Sequence, residues 1–155
     1  MSGFDRYLHT IIEQGSAEAH QDGSATIEAQ HLLLAIAAQP EPTLESAGLD
    51  HRTIRDALER EFEHSLAAAG VSRATFDLPR PTRNPQPPTQ LGASAKLALE
   101  RLARSHRKKD LRPGHLLLGI LQAQAGTVPR ALALAGVDRA DLTARVLRTL
   151  PDAGE

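Results

Sequence analysis

His31-Leu32-Leu33-Leu34-Ala35-Ile36 returns 84 residues later as His115-Leu116-Leu117-Leu118-Gly119-Ile120. The context returns with it. Ile27 stands four residues before the first His and Leu111 four before the second, and Gly48-Leu49-Asp50 is echoed by Gly136-Val137-Asp138. Composition alone does not produce two such blocks in one order, so the chain reads as a duplicated helical unit. Each copy buries its apolar face against the other.

Working outward, every other segment reads as helix or connection. Phe4, Tyr7, Leu8, Ile11 and Ile12 form an amphipathic stripe, with Ser2 and Asp5 in an N-cap relationship, and this helix runs to about His20. The block helix follows and stops near Pro40-Glu41-Pro42. A short helix is predicted over Thr43–Ala47, with Gly48 as its left-handed terminator. Asp50 caps the next helix, whose inner face is Ile54, Ala57, Leu58, Glu61, Phe62, Ser65 and Leu66. Residues 70–90 hold half of the ten prolines and read as an extended linker outside the core. The second copy then supplies Leu91, Ala95, Ala98, Leu99 and Leu102 on one helix. Pro113 opens the second block helix, and Val128–Ala135 forms a short helix closed by Gly136. Asp138 caps a last helix with Leu142, Val146, Leu147 and Leu150 inward, stopped by Pro151. The expectation is an all-α fold of two pseudo-symmetric four-helix repeats in one domain: repeat one 4–69, linker 70–90, repeat two 91–150.

Composition narrows the function classes. With 155 residues, 41% hydrophobic and 24% charged, the chain has the makeup of one soluble globular domain. Without Cys it has neither a disulfide framework nor a thiolate nucleophile. No apolar run reaches membrane-span length and no signal pattern opens the chain, so a cytoplasmic protein is expected. The net charge of −1 conceals a split: residues 1–69 carry 12 acids and 4 bases, net −8, and residues 70–155 carry 7 acids and 14 bases, net +7. Such a split favours docking of the halves or head-to-tail contact between molecules.

Candidate chemistry is sparse. His31 and His115 without a certain third ligand make a poor zinc site, and each is expected to satisfy backbone groups where its helix begins. Arg101, Arg104, Arg107, Lys108, Lys109 and Arg112 lack interleaved aromatics and read as a solvated helix end rather than a nucleic-acid patch. Ser16, Ser24, Ser94 and Ser105 have no nucleophile-elbow context. Glu59, Glu61 and Glu63 diverge around their helix. No Gly-x-x-x-x-Gly-Lys-(Ser/Thr) phosphate cradle occurs. No enzyme activity, cofactor, metal or membrane contact is expected.

Ile27-Glu28-Ala29-Gln30-His31-Leu32-Leu33-Leu34-Ala35-Ile36, Ala95-Lys96-Leu97-Ala98-Leu99-Glu100, Val128-Pro129-Arg130-Ala131-Leu132 and Ala135-Gly136-Val137-Asp138 together resemble the Clp N-terminal domain. That double repeat fronts the Clp ATP-driven unfoldases, and the similarity spans roughly residues 4–150. The resemblance implies a non-catalytic module that binds Clp substrates, adaptors or peptides. The alternative it implies is a stand-alone protein that sequesters Clp-directed cyclic-peptide antibiotics and so protects the related unfoldase. Family ligands bind near the starts of the first and fifth helices, which maps to Phe4 and Leu91, with Lys96 close by. One branch places an acid directly before each repeat's His to receive phosphorylated arginine; here those positions are Gln30 and Gly114, and Glu28 is the nearest remaining acid. The second repeat also has a shortened connection, with Ala95 only 20 residues before His115. The missing phosphate cradle implies a stand-alone relative of that receptor domain, or an excised one.

Overall fold

A computed structural model describes residues 2–70, 86–105, 107 and 110–151 of the chain. These residues form eight helices: α1 (Gly3–Gln21), α2 (Ala29–Ala37), α3 (Pro42–Ser46), α4 (His51–Ala68), α5 (Ala93–Ser105), α6 (Pro113–Leu121), α7 (Thr127–Leu134) and α8 (Arg139–Thr149). The fold is all-α, and each Clp-like repeat contributes four helices. The only β-type pairing among the described residues is one isolated parallel bridge between Ile27 and Leu91.

The caps are those the side chains predict. Ser2 Oγ accepts from the Asp5 N–H at 3.1 Å while Asp5 accepts from the Ser2 N–H. Asp50 accepts from the Thr53 N–H at 2.8 Å and Asp138 from the Asp141 N–H at 3.2 Å. The duplication extends to individual hydrogen bonds. Leu49 N–H donates to Leu44 O and Gly48 N–H to Glu45 O; Val137 N–H donates to Leu132 O and Gly136 N–H to Ala133 O. Both glycines lie at positive φ, +73° and +75°, which closes the same C-terminal turn twice.

The block helices are the centre of the core. Every residue of His31–Ile36 and His115–Leu121 is buried, as expected for helices apolar all round. Around them α1, α4, α5, α7 and α8 each present one stripe, including Ile11, Ile54, Ala98, Leu132 and Leu142.

Three expectations need correction. Phe62 is 47% exposed and Ser65 is exposed, because α4, at 18 residues, is about twice as long as α2 and its last turns overrun the core. Leu147 is 52% exposed, since it lies about 100° around α8 from buried Val146. The shortening in repeat two is not in the connection. Seven residues separate α1 from α2 (22–28) and seven separate α5 from α6 (106–112), whereas α5 has 13 residues against 19 in α1. The missing turns come from the helix itself.

Of the proline-rich segment, residues 71–85 lie outside the described residues, as do Lys108 and Lys109 of the basic run. The described end of that segment is held at the surface. Ser16 Oγ donates to Pro88 O at 2.5 Å, and the Ile27 N–H donates to Gln90 O at 2.9 Å.

Candidate functional site

The two repeats meet where α2 and α5 begin. Ile27 N–H donates to Gln90 O, and Gly92 N–H donates to Ile27 O at 2.8 Å, so Leu91 runs parallel to Ile27 just before α5 starts. This pairing delivers Glu28 to the first turn of α5. Its Oε1 accepts from Ser94 Oγ at 2.7 Å and from the Ser94 N–H at 3.4 Å, and its Oε2 accepts from Thr26 Oγ1 at 2.5 Å. Ser94 Oγ in turn accepts from the Ala29 N–H at 2.8 Å, satisfying a donor in the first turn of α2. One hydroxyl therefore ties both helix starts together. Partial burial pushes the Glu28 carboxyl upward, but the hydrogen bonds from Thr26 and Ser94 outweigh it and hold the group below its usual range.

Gly92 makes this seat possible. A Cβ at residue 92 would overlap the Glu28 carboxylate, so only glycine lets it settle there. The start of α5 is thus filled by the chain's own carboxylate. Repeat two does not copy the arrangement, because the residue matching Glu28 is Arg112.

Both block histidines satisfy backbone donors, as expected. His31 Nδ1 accepts from the Glu28 N–H at 2.9 Å, and His115 Nδ1 accepts from the Arg112 N–H at 2.8 Å. With Nδ1 an acceptor, the His31 proton sits on Nε2 and points at Asp22 Oδ2, 3.0 Å away. Asp22 also pairs with Arg55, which pairs with Glu18, and Glu18 takes His51 at 2.6 Å. Burial works to raise the Asp22 carboxyl, but His31 and Arg55 lower it further. The described residues contain no cluster of three or more His, Cys, Asp or Glu arranged to hold a metal.

The candidate residues divide among three places. Glu28 and Gln30 line a groove of about 340 Å³ with Ser94, Leu97 and Arg101, floored by Ile120 and Val128. Leu91 borders it through the bridge to Ile27, and Lys96 stands exposed one turn into α5. Phe4 lies apart, 92% buried in the first turn of α1 with its ring 6.3 Å from that of Tyr7, as a core side chain would. Burial and the Glu41 carboxylate raise the Tyr7 phenol. Gly114 opens α6 against α8, where an added Cβ would come within 2.9 Å of Leu150 Cδ2. A shallower hollow of about 280 Å³ there is lined by Glu41, Arg112, Gly114 and Leu150.

Sequence reasoning missed three contributors. Ser94 was legible only as a serine without nucleophile context, yet it is the hub of the junction. Arg101 was grouped with a solvated basic run, but its guanidinium donates to Gly119 O at 2.8 Å and forms a groove wall. Glu61 is 95% buried and accepts from Ser65 Oγ at 2.8 Å and Arg130 Nε at 2.9 Å, clamping α4 to α7.

The sequence profile of the Clp repeat N-terminal domain matches residues 3–82 and 93–153. The chain belongs to this family. Among solved structures it is similar to the N-terminal domain of the caseinolytic protease associated chaperone ClpD from Arabidopsis thaliana, at 20% identity and a TM-score of 0.63, covering 90% of this chain and 89% of that one. That likeness shows the fold. Among curated protein sequences none matches the chain.

Proposed function

We propose that the chain is a non-catalytic protein- and peptide-binding module of the Clp chaperone–protease system, and that its contact surface is the α2–α5 groove. Membership of the Clp repeat family supports the class. The observation that carries the surface is Gln30. This half-buried side chain lines the groove, and its amide makes no side-chain hydrogen bond among the described residues. Half-exposed Leu97 supplies apolar area on the opposite wall. A groove with an apolar wall and a few placed polar groups suits a short peptide segment.

The electrostatics disfavour phosphoarginine at this place. Glu28 is the one carboxylate lining the groove, and both its oxygens already accept hydrogen bonds. Gln30 adds a neutral acceptor, and a guanidinium held without a charged partner forgoes about 1.5–3 kcal/mol per hydrogen bond. The apolar wall suits hydrophobic peptides, and Clp-directed cyclic peptides share that chemistry.

Titration by NMR with three ligands tests the reading: an unfolded protein, its arginine-phosphorylated form, and a Clp-directed cyclic peptide. Expected are shifts at Gln30, Leu97 and Val128 with the unfolded protein, unchanged by phosphorylation. Selective tight binding of the cyclic peptide would move the assignment to sequestration of the antibiotic. Absence of shifts with all three overturns the groove. Micromolar phosphoarginine binding lost in Glu28→Ala overturns the account of Gln30.

A further inference from the structure

A second and larger groove, about 420 Å³, lies between the end of α1, α2 and α4 and adjoins the first, with Gln30 and Thr127 lining both. Its floor is apolar: Leu34, Leu58 and half-exposed Phe62. Its rim is acidic. Asp22 is fixed by His31 and Arg55, Glu61 is fixed by Ser65 and Arg130, and exposed Glu59 makes no side-chain hydrogen bond or ion pair among the described residues.

The charge split of the sequence bears on what fills it. Residues 1–69 carry −8 and residues 70–155 carry +7. Arg130–Glu61 joins the two halves, whereas the pairs of His9, Glu18, Asp22 and Arg145 each lie within a half. Exposed Glu59 in the first half and exposed Arg148 in the second carry opposite charges that no ion pair engages among the described residues.

Repeat two offers one apolar side chain suited to the acidic groove. Of its exposed large apolar residues, Leu97 belongs to the α2–α5 groove. Leu134 is the least exposed, at 37%, and Arg130, one turn before it, is engaged by Glu61. Leu147 is the most exposed, at 52%, and is followed directly by Arg148, exposed and without an ion pair among the described residues. Arg145 beside it is held by Asp141.

We propose that the acidic groove of repeat one receives the Leu147–Arg148 edge of α8 from a second copy of the chain, the leucine on Phe62 and Leu58 and the arginine at Glu59. Groove and edge are different surfaces, so the contact is head to tail and each copy added leaves a further groove open. The groove admits only a few side chains, which makes the contact weak, and its charge makes it salt-sensitive.

Sedimentation velocity of the full chain tests this. At low salt the average mass is expected to climb above the 16.7 kDa monomer as concentration rises, and to return to it at about 1 M salt, where screening reaches within ~3 Å. Glu59→Arg sets cation against cation, Arg148→Glu anion against anion, and each variant alone is expected to stay monomeric with unchanged circular dichroism. Mixed one to one, they restore both pairings and the association returns. A wild-type monomer at every concentration in low salt overturns the proposal, as does a mixture that fails to associate. A wild-type monomer whose groove instead binds a basic, leucine-containing peptide, with the binding lost in Glu59→Arg, also overturns the second copy as occupant.

Discussion

The Ser94 hydroxyl and the Glu28 carboxylate, 66 residues apart in the chain, are joined by a 2.7 Å hydrogen bond at the meeting of two helix starts. The same hydroxyl accepts the Ala29 N–H, so one side chain serves a backbone group of one repeat and a carboxylate it delivers to the other.

Removing that hydroxyl leaves the Ala29 N–H without its acceptor and Glu28 short of a donor. Ser94→Ala is expected to lower stability by about 1–3 kcal/mol, the usual cost of stranding a poorly solvated polar group. Urea unfolding followed by circular dichroism measures it. A change within a few tenths of a kcal/mol means water replaces the hydroxyl without loss.

Gly92→Ala pushes a methyl group into the space of the Glu28 carboxylate. The variant is expected to lose stability, and Glu28→Ala is expected to recover much of that loss because the obstructed group has gone. The double-mutant cycle should show coupling of about 0.5–3 kcal/mol. Strict additivity contradicts the steric account.

Asp22 and Glu28 bind their protons less tightly in the folded chain than their ordinary pKa values of 3.8 and 4.5 imply. Both pKa values are lowered by folding, so the stability they supply is fully present above those values and disappears as pH falls through them toward the folded ones. Denaturation midpoints measured from neutral pH downward should drop across this range. In Glu28→Gln the drop should be shallower, since one of the two groups no longer titrates.

Glu61 is buried and depends on Arg130 and Ser65. Arg130→Met should cost about 1–3 kcal/mol by stranding the carboxylate, toward the low end because Arg130 is itself half-exposed. Adding Glu61→Leu should return part of the loss, and differential scanning calorimetry of the four proteins reads the pattern. If Arg130→Met alone changes nothing, solvent already serves Glu61.

The repeat was legible because its signals are local and doubled. Apolar spacing places the helices, Asp50 and Asp138 announce their starts, and Gly48 and Gly136 their ends. What escaped depends on three dimensions. That Phe62 and Leu147 are exposed follows from where neighbouring helices stop, which their own stripes do not encode. The site was harder. Glu28 and Gln30 stand out through family pattern, but Ser94 and Gly92 acquire meaning only when α5 is laid against α2, 65 residues upstream of Ser94.

The Ile27–Leu91 bridge also governs how the chain is put together. Ile27 is fully buried, and its amide and carbonyl are completed by backbone from beyond repeat one, through Gln90 at the end of the linker and Gly92 of repeat two. Repeat one cannot close its own interior at that residue. A chain opened between residues 70 and 86 should therefore behave as a split protein: each piece incompletely folded alone, the two regaining native helicity and cooperative melting when mixed. The duplicated unit, although repeated in sequence, is half of a folding unit.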